Sequence, residues 1–446
     1  MKTCLDFKRA LVESGLMDFA EETSLAVWLG DGMKMLRILE RKIIELFELQ
    51  GYEEGRFPLL AHRSHFNKLC MEICNFDGGV FCIEGKSDLL LRPSGEIVFY
   101  PLFAKWSKKR GLPLRFFSIG QMFRQGSAQK IFRQCENDMF VEGHASFKNA
   151  GEAHIEVDRL NDILRSWFSI LSLPVLIVDR PGETNKPVAE RHIGFDGILP
   201  TGETILLGAS YYQGQIFSRV FNIKNRDTAD FAYQAEAGFS SRAILASLWV
   251  HADKKGLVLP SSFAPIQVAI IPSSKDAGML LQAEKIKKDL NVAGIRVRIQ
   301  IPERNKRVFY QNLEISGYPV VIRLNETDTC QVYYRFDDRC DSDPKNLLLE
   351  VSEYLKNLDG RILRKAVDAH ISKMIFVCED ARIIIDVLNS QKVAQIFLCS
   401  ESTCLHGVKT SVGRGEMIGW DYSSQERGAC IQCGKEGRRA YYARRI

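Results

Sequence analysis

The sequence predicts an α+β fold: an antiparallel-sheet core over residues 1–262, an α/β domain over 263–360 and a small zinc-binding domain over 361–446. Three observations carry this. Up to Pro260, strand-like stretches bounded by turn residues are interspersed with amphipathic helices, the pattern of an antiparallel sheet with helices packed on it. From Ile266 onward, apolar strands and helices take turns, which suggests a compact α/β unit. Late in the chain, Cys399 and Cys404 are separated by four residues and Cys430 and Cys433 by two, the pairs lying about 25 residues apart. That is the spacing of a closed tetrahedral thiolate zinc site, which leaves no open position for catalysis; buried thiols are the alternative.

Bulk properties narrow the class. At 446 residues the chain exceeds one ordinary core. With 46% hydrophobic and 26% charged residues it is a globular protein rather than a disordered one. The formal charge of +5 permits a nucleic-acid partner without arguing for one. No apolar run reaches membrane-span length, and the opening MKTCLDFKRALVESG is too charged for a secretory signal, so a cytosolic setting with no membrane partner is expected. In that compartment cysteines are thiols or metal ligands rather than disulfides. Cys4, Cys70, Cys74, Cys82, Cys135, Cys330, Cys340 and Cys378 then read as small buried apolar residues.

Taken in order, residues 33–50 place Leu36, Leu39, Ile43 and Leu46 at helical spacing before Gly51. The segment 78–106 reads as a hairpin, a loop around Arg92 to Gly95, and a helix headed by Glu96, whose charge suits a helix N-terminus. Apolar stretches around Phe116–Phe123 and Met139–Val141 predict two antiparallel strands joined by a loop with Arg124, Lys130 and Arg133, aimed at an anion or merely solvated. Glu142 and His144 lie two apart just past the second strand, on one face if it continues. A helix spans about Ala150 to Leu171, a strand follows at PVLIVD, and another strand leads to a polar turn with Tyr211, Tyr212 and Gln215. Gly238 marks a turn into an apolar helix carrying Arg242, whose charge needs either a structural carboxylate or a bound polyphosphate. Beyond it, IRVRIQI alternates Ile295, Val297, Ile299 and Ile301 with Arg296 and Arg298, a face either solvated or open to phosphates. Neither a GxGxxG nor a GxxxxGK[ST] motif is present.

Several of these segments together resemble a class II aminoacyl-tRNA synthetase of the archaeal and eukaryal prolyl-tRNA synthetase type. RFPLL resembles that family's first signature, at its dimer interface; LLLRPSGEIVFYPLFAKW its LRPTSE-type amino-acid loop; FSIGQMFRQ…FVEGHASF its second signature and WQEGHT segment; GASYYQGQIF its GTSHYLGQNF; and GFSSRAILASLWVHADKKGLVLPSSFAPIQVAIIP its third signature. The Cys399, Cys404, Cys430 and Cys433 tail resembles the family's zinc-binding C-terminal domain.

The resemblance implies ATP, Mg²⁺ and a structural Zn²⁺ as cofactors, tRNA and proline or an analogue as partners, and a homodimer. It implies Arg242 on the γ-phosphate of ATP, Arg124 on the α-phosphate and Arg133 over the nucleotide. Ser94 and Glu96 would receive the substrate amine, while Phe140, Glu142, His144, Tyr211 and Glu236 would line the amino-acid pocket. Departures cluster there. Arg124-Gln125-Gly126 lacks the carboxylate expected to read adenine; Leu206 stands for a Gln, Tyr211 for a His, Phe140 for a Trp, Glu236 for a small hydroxyl residue and Ala237 for a Trp. The expectation is therefore a proline–tRNA ligase with a divergent pocket; a paralogue activating another amino acid and a non-catalytic tRNA-binding regulator are the alternatives.

Overall fold

The computed structural model describes residues 6–21, 25–72, 79–125, 131–132, 135–182, 188–302, 306–326, 329–337, 339–378 and 380–446. The chain folds into two compact units, one of Met1–Lys42, Ile170–Ser172 and Ser247–Val367, the other of Ile43–Ser169, Leu173–Ala246 and Asp368–Ile446.

The second unit is built on a twelve-stranded sheet. Its strands are β1 (Glu53–Glu54), β2 (Leu114–Phe123), β3 (Glu136–Phe147), β4 (Leu176–Asp179), β5 (Arg191–Ile198), β6 (Thr204–Gly214), β7 (Tyr233–Ser240), β8 (Met374–Phe376), β9 (Val393–Leu398), β10 (Glu416–Asp421), β11 (Arg427–Ala429) and β12 (Glu436–Ala443). The order is β8-β9-β12-β10-β4-β5-β6-β7-β3-β2-β1, with β11 on β12. Pairing is antiparallel except at the two ends, β8·β9 and β1·β2. This is the antiparallel-rich α+β architecture expected. Central strands such as β5 are buried along nearly their whole length, the polar His192 and Asp196 included.

Helix α1 (Ala150–Ile170) covers one face. Its Trp167 is fully buried and stacks on Phe239 of β7 at 5.1 Å. A Cβ at Gly208 of β6 would meet Leu164 at 3.1 Å, so the missing side chain lets helix and sheet close up. On the same side, Arg115 of β2 forks onto Glu156 with two 3.0 Å bonds. At the β4–β10 junction, Arg180 bonds Asp196 at 2.5 Å and the Ile418 carbonyl at 2.7 Å. Arg445 adds a second contact to Asp196 at 3.4 Å, which satisfies an acid that is 0% exposed.

The first unit holds a five-stranded sheet in which Val268–Pro272 lies between two parallel neighbours, Val297–Ile299 and Val320–Leu324, followed by the antiparallel Cys330–Tyr334 and Cys340–Ser342. All five residues of Val268–Pro272 are buried, as an apolar central strand should be. The alternating stretch 295–301 forms only a three-residue strand, and its arginines are not presented for phosphate. Arg296 donates to the carbonyls of Ala264 (2.7 Å) and Ser261 (2.6 Å), and Arg298 forks onto Asp31. Internal acceptors, which alternation cannot reveal, take both cations.

Other expectations are corrected. Gly238 is not a turn but a residue of β7, opposite Glu142, and Tyr211 and Tyr212 lie within β6. Small residues at Ala235, Ala237 and Gly238 resemble a turn locally, but two flanking strands recruit them into the sheet. Of the scattered cysteines only Cys330 is buried among the described residues; Cys82, Cys340 and Cys378 are exposed, Cys70 and Cys135 are partly exposed, and Cys4 and Cys74 lie outside the described residues.

Candidate active site

Strand β3 runs through to Phe147, so Glu142 and His144 lie within it and share a face. Cross-strand register then assembles a row: His144 pairs with Glu236 of β7, and Glu236 with Tyr211 of β6. Residues directly opposite in antiparallel strands project from the same face. Three positions far apart in sequence therefore meet on the sheet surface opposite Trp167.

Helix α2 (Glu96–Arg110) closes this face from the other side. Phe99 lies 4.2 Å from the His144 ring and Tyr100 5.2 Å, edge-on. The helix begins at Glu96, directly after the loop bearing Arg92 and Ser94, and the N–H of Gly95 donates to Glu142 Oε1 at 3.1 Å. A Cβ on Gly95 would collide with the Glu142 carboxylate, so glycine is required by the close approach.

A directional hydrogen-bond chain links the row. Glu236, an acceptor, takes the amide N–H of Gln213 at 2.5 Å. The Gln213 carbonyl accepts from the Tyr100 hydroxyl, whose oxygen lies 3.1 Å from His144 Nδ1. With the Tyr100 proton committed to Gln213, His144 Nδ1 must be the donor, and Nε2 carries the lone pair. Among the described residues Nε2 has no hydrogen-bond partner, and neither do Glu142 Oε2, Glu96 Oε2 or Ser94 Oγ.

Electrostatics follow from burial. Glu142 is 2% exposed, and desolvation, then Glu96, push its carboxyl up to about 8 against the pull of Arg92. Glu236 is raised well above the carboxylate range by burial, then by Glu96 and Glu142, with Arg124 opposing. Burial and then Arg92 hold His144 down at about 3, so its ring is neutral. Burial and then Glu236 raise the Tyr211 phenol. Arg92 is 1% exposed and donates to the Gln121 carbonyl at 2.9 Å. Arg124 donates through Nε to the Pro93 carbonyl at 2.8 Å, which ties it to the loop of Ser94 and Glu96.

The candidates are thus distributed as follows. Glu96, Arg124, Glu142, His144, Tyr211 and Glu236 are joined by register, hydrogen bonds or mutual electrostatics, and Ser94 lies in the loop between Pro93, which accepts from Arg124, and Gly95, which donates to Glu142. Phe140 lies two residues from Glu142 on the same face of β3 and would be 3.3 Å from a Cβ at Gly238. Arg242 opens the helix α3 (Arg242–His251), with Nη1 3.5 Å from the Leu206 carbonyl of β6. Arg133 lies outside the described residues. Sequence reading missed Arg92, Tyr100 and Gln213. All three stood within quoted motifs, but the hydrogen-bond roles of Tyr100 and Gln213 arise only from tertiary pairing.

The cysteine quartet forms a second cluster. One sulfur from each of Cys399, Cys404, Cys430 and Cys433 lies within 4.8 Å of the others, and Cys399 and Cys433 are 3.8 Å apart. Cys399 follows β9, Cys404 sits in the helix Ser402–Val412, and the other two occupy the turn between β11 and β12. Zn–S bonds of about 2.3 Å at tetrahedral angles put sulfurs about 3.8 Å apart, so the four residues fit that ion.

No family model matches the chain. It is similar to the proline–tRNA ligase of Thermoplasma acidophilum, with 28% identity over 94% of this chain and 93% of the relative. The corresponding ligase of Methanoregula boonei is 29% identical over 93% and 91%, and that of Pyrococcus horikoshii 27% over 97% and 95%. In fold it is similar to the prolyl-tRNA synthetase from Cryptosporidium parvum complexed with L-proline and AMP, with a TM-score of 0.89, 21% identity, and coverage of 99% of this chain and 94% of that one.

Proposed function

We infer that this chain belongs to the prolyl-tRNA synthetase family of class II aminoacyl-tRNA synthetases, and that it activates proline with ATP and charges tRNA. The observation that carries this is the similarity to proline–tRNA ligases over 93–97% of this chain and 91–95% of each relative.

In this reading the proline amine is received by Ser94 and Glu96, whose Oγ and Oε2 are buried acceptors in need of a donor. A carboxylate oxygen of proline attacks the α-phosphorus of ATP; the new P–O bond forms as the bond to pyrophosphate breaks. The acyl group then passes to the 3′-terminal ribose of tRNA and AMP leaves. Charge builds on phosphate oxygens during the first step, and Arg124 and Arg242 are fixed cations suited to meet it. Each reaches a backbone carbonyl, Arg124 that of Pro93 and Arg242 that of Leu206, which orients it. Arg133 is proposed over the nucleotide, and Phe140, Glu142, His144, Tyr211 and Glu236 as the pocket wall. Mg²⁺ carried in with the nucleotide supplies further positive charge to the phosphates.

Residues 1–262 are proposed as the catalytic part, 263–360 as the anticodon-binding part and 361–446 as the zinc-binding part. The alternating helices and strands of 268–372 and the cysteine quartet support the last two. Homodimerisation through the RFPLL segment is supported by Leu59 and Leu60, which are 38% and 45% exposed. A cytosolic setting belongs to the same proposal; among the described residues no helix is long and apolar enough to cross a membrane.

The test is amino-acid-dependent pyrophosphate–ATP exchange, followed by tRNA charging. Proline-dependent exchange is expected. Exchange with another amino acid and none with proline overturns the substrate, and tRNA binding without any exchange overturns the activity.

A further inference from the structure

The wall of the pocket carries more acceptors than a single substrate amine uses. Among the described residues, the cations Arg92 and Arg124 act on Glu142, and Arg124 acts on Glu236. Glu236, the residue at which this chain departs from a small hydroxyl, adds a further buried carboxyl beside Glu142 and His144.

These three side chains are arranged to hold a cation. One ligating atom from each of Glu142, His144 and Glu236 lies within 4.8 Å of the others, and the three residues are 2%, 0% and 7% exposed. Each is oriented by a separate hydrogen bond that leaves an electron-pair donor over. Gly95 N–H holds Glu142 Oε1 and leaves Oε2 unpartnered; Gln213 holds Glu236 Oε2 and leaves Oε1; Tyr100 holds His144 Nδ1 and leaves the Nε2 lone pair unpartnered. Ligands braced from behind in this way, with a neutral imidazole of fixed tautomer, are the ordinary construction of a metal site.

We propose that Glu142, His144 and Glu236 bind one divalent transition-metal ion of the zinc class in the amino-acid pocket. An imidazole nitrogen with two carboxylate oxygens suits zinc, cobalt or manganese better than the all-oxygen preference of calcium or magnesium. In a tetrahedral zinc site such donors lie about 3.3 Å apart, a contraction that side-chain rotation from a 4.8 Å envelope can supply. Three protein ligands leave a coordination position open for water or for a donor atom of the substrate, so the ion takes part in choosing the amino acid. That last consequence rests on the synthetase reading; the metal site itself does not.

The experiment counts metal in the full-length protein after chelator treatment, reloading with Zn²⁺ or Co²⁺ and removal of the excess. Two equivalents per chain are expected, one at the cysteine quartet. Glu236→Gln should lose one equivalent and keep the intense near-ultraviolet thiolate-to-cobalt absorption, whereas Cys399→Ser with Cys433→Ser should lose that absorption and keep the other equivalent. Gln213→Leu, which removes only the brace on Glu236, should weaken the pocket site about 10- to 100-fold. Far-ultraviolet circular dichroism identifies variants that fail to fold, and Glu142→Gln serves as the second ligand variant in that case. A wild-type protein with metal only at the thiolates, unchanged in Glu236→Gln, overturns the proposal; exchange supported by amino acids with a second amino group would then identify a substrate ammonium as the cation of the pocket. Metal in the pocket together with no exchange for any amino acid would sustain the site and sink the synthetase reading instead.

Discussion

Arg242 illustrates how a single cation is held ready at the sheet edge. Its backbone N–H lies 3.4 Å from Ser240 Oγ and its guanidinium 3.5 Å from the Leu206 carbonyl, both neutral acceptors. A guanidinium oriented by a carbonyl can meet an incoming anion; Arg298, by contrast, is forked onto Asp31. Arg242→Ala should reduce pyrophosphate exchange by about 10²- to 10³-fold, the usual loss when one oriented donor to a developing oxyanion is removed. Wild-type exchange rates in that variant would contradict the phosphate role.

The same contrast explains what could be read at this scale. Arg124, Arg242, Glu96, Glu142 and His144 stood within recognisable motifs. Gln213 stood within one as well, GASYYQGQIF, yet its role went unread, because that role is defined by Glu236 on one side and Tyr100 on the other, residues 23 and 113 positions away.

Among the elements, the hairpin of β11 and β12 shows how a turn earns its residues. The Cys430 N–H accepts no load from a strand but donates to the Lys435 carbonyl, and Gly434 N–H donates back to Cys430, a tight loop that points both late cysteines at Cys399 and Cys404. Gly434 has φ +75°, a conformation that favours glycine. A zinc ion bound there would clamp β9, the helix Ser402–Val412 and this hairpin together. Cys430→Ser is expected to release one zinc per chain and to make the segment from 393 to 446 more susceptible to limited proteolysis. Unchanged metal content in Cys430→Ser would remove the site.

Element boundaries were partly legible in the sequence. Helices with a clear apolar stripe appear where expected, because burial of one face dominates their stability. The β6 and β7 stretches were misread around Tyr211 and Gly238. Glycine and polar residues favour turns locally, but here flanking strands satisfy the backbone on both sides, and pairing outweighs propensity.

For the whole molecule, the pH response should be set by buried histidines that stay neutral. His251 is 4% exposed and lies 3.0 Å from the Leu171 carbonyl through Nε2. Burial lowers it to about 4; the Leu171 bond and Asp359 oppose that and Lys365 assists. In the unfolded chain it would titrate near its ordinary value of 6.5. Between those values the unfolded state binds more protons, so stability is full above pH 6.5 and falls as pH drops toward 4. The contribution lost is on the order of 3 kcal/mol. Denaturant unfolding from pH 7 to 4 should show this decline, and His251→Gln, which keeps a donor but does not titrate, should flatten part of it. An identical pH slope in that variant would discard the assignment.

At this scale too, sequence and structure divide the information. The sequence by itself determined the class of fold, the helices with a clear apolar stripe and the cysteine spacing, because these depend on periodicity and spacing that are local in the chain. Only the tertiary structure decided that Glu236 stands beside His144, that Gln213 and Tyr100 set the tautomer between them, and that Arg296 and Arg298 are consumed internally. Those facts depend on strand register and on the burial of the pocket, which no local stretch of the chain reveals.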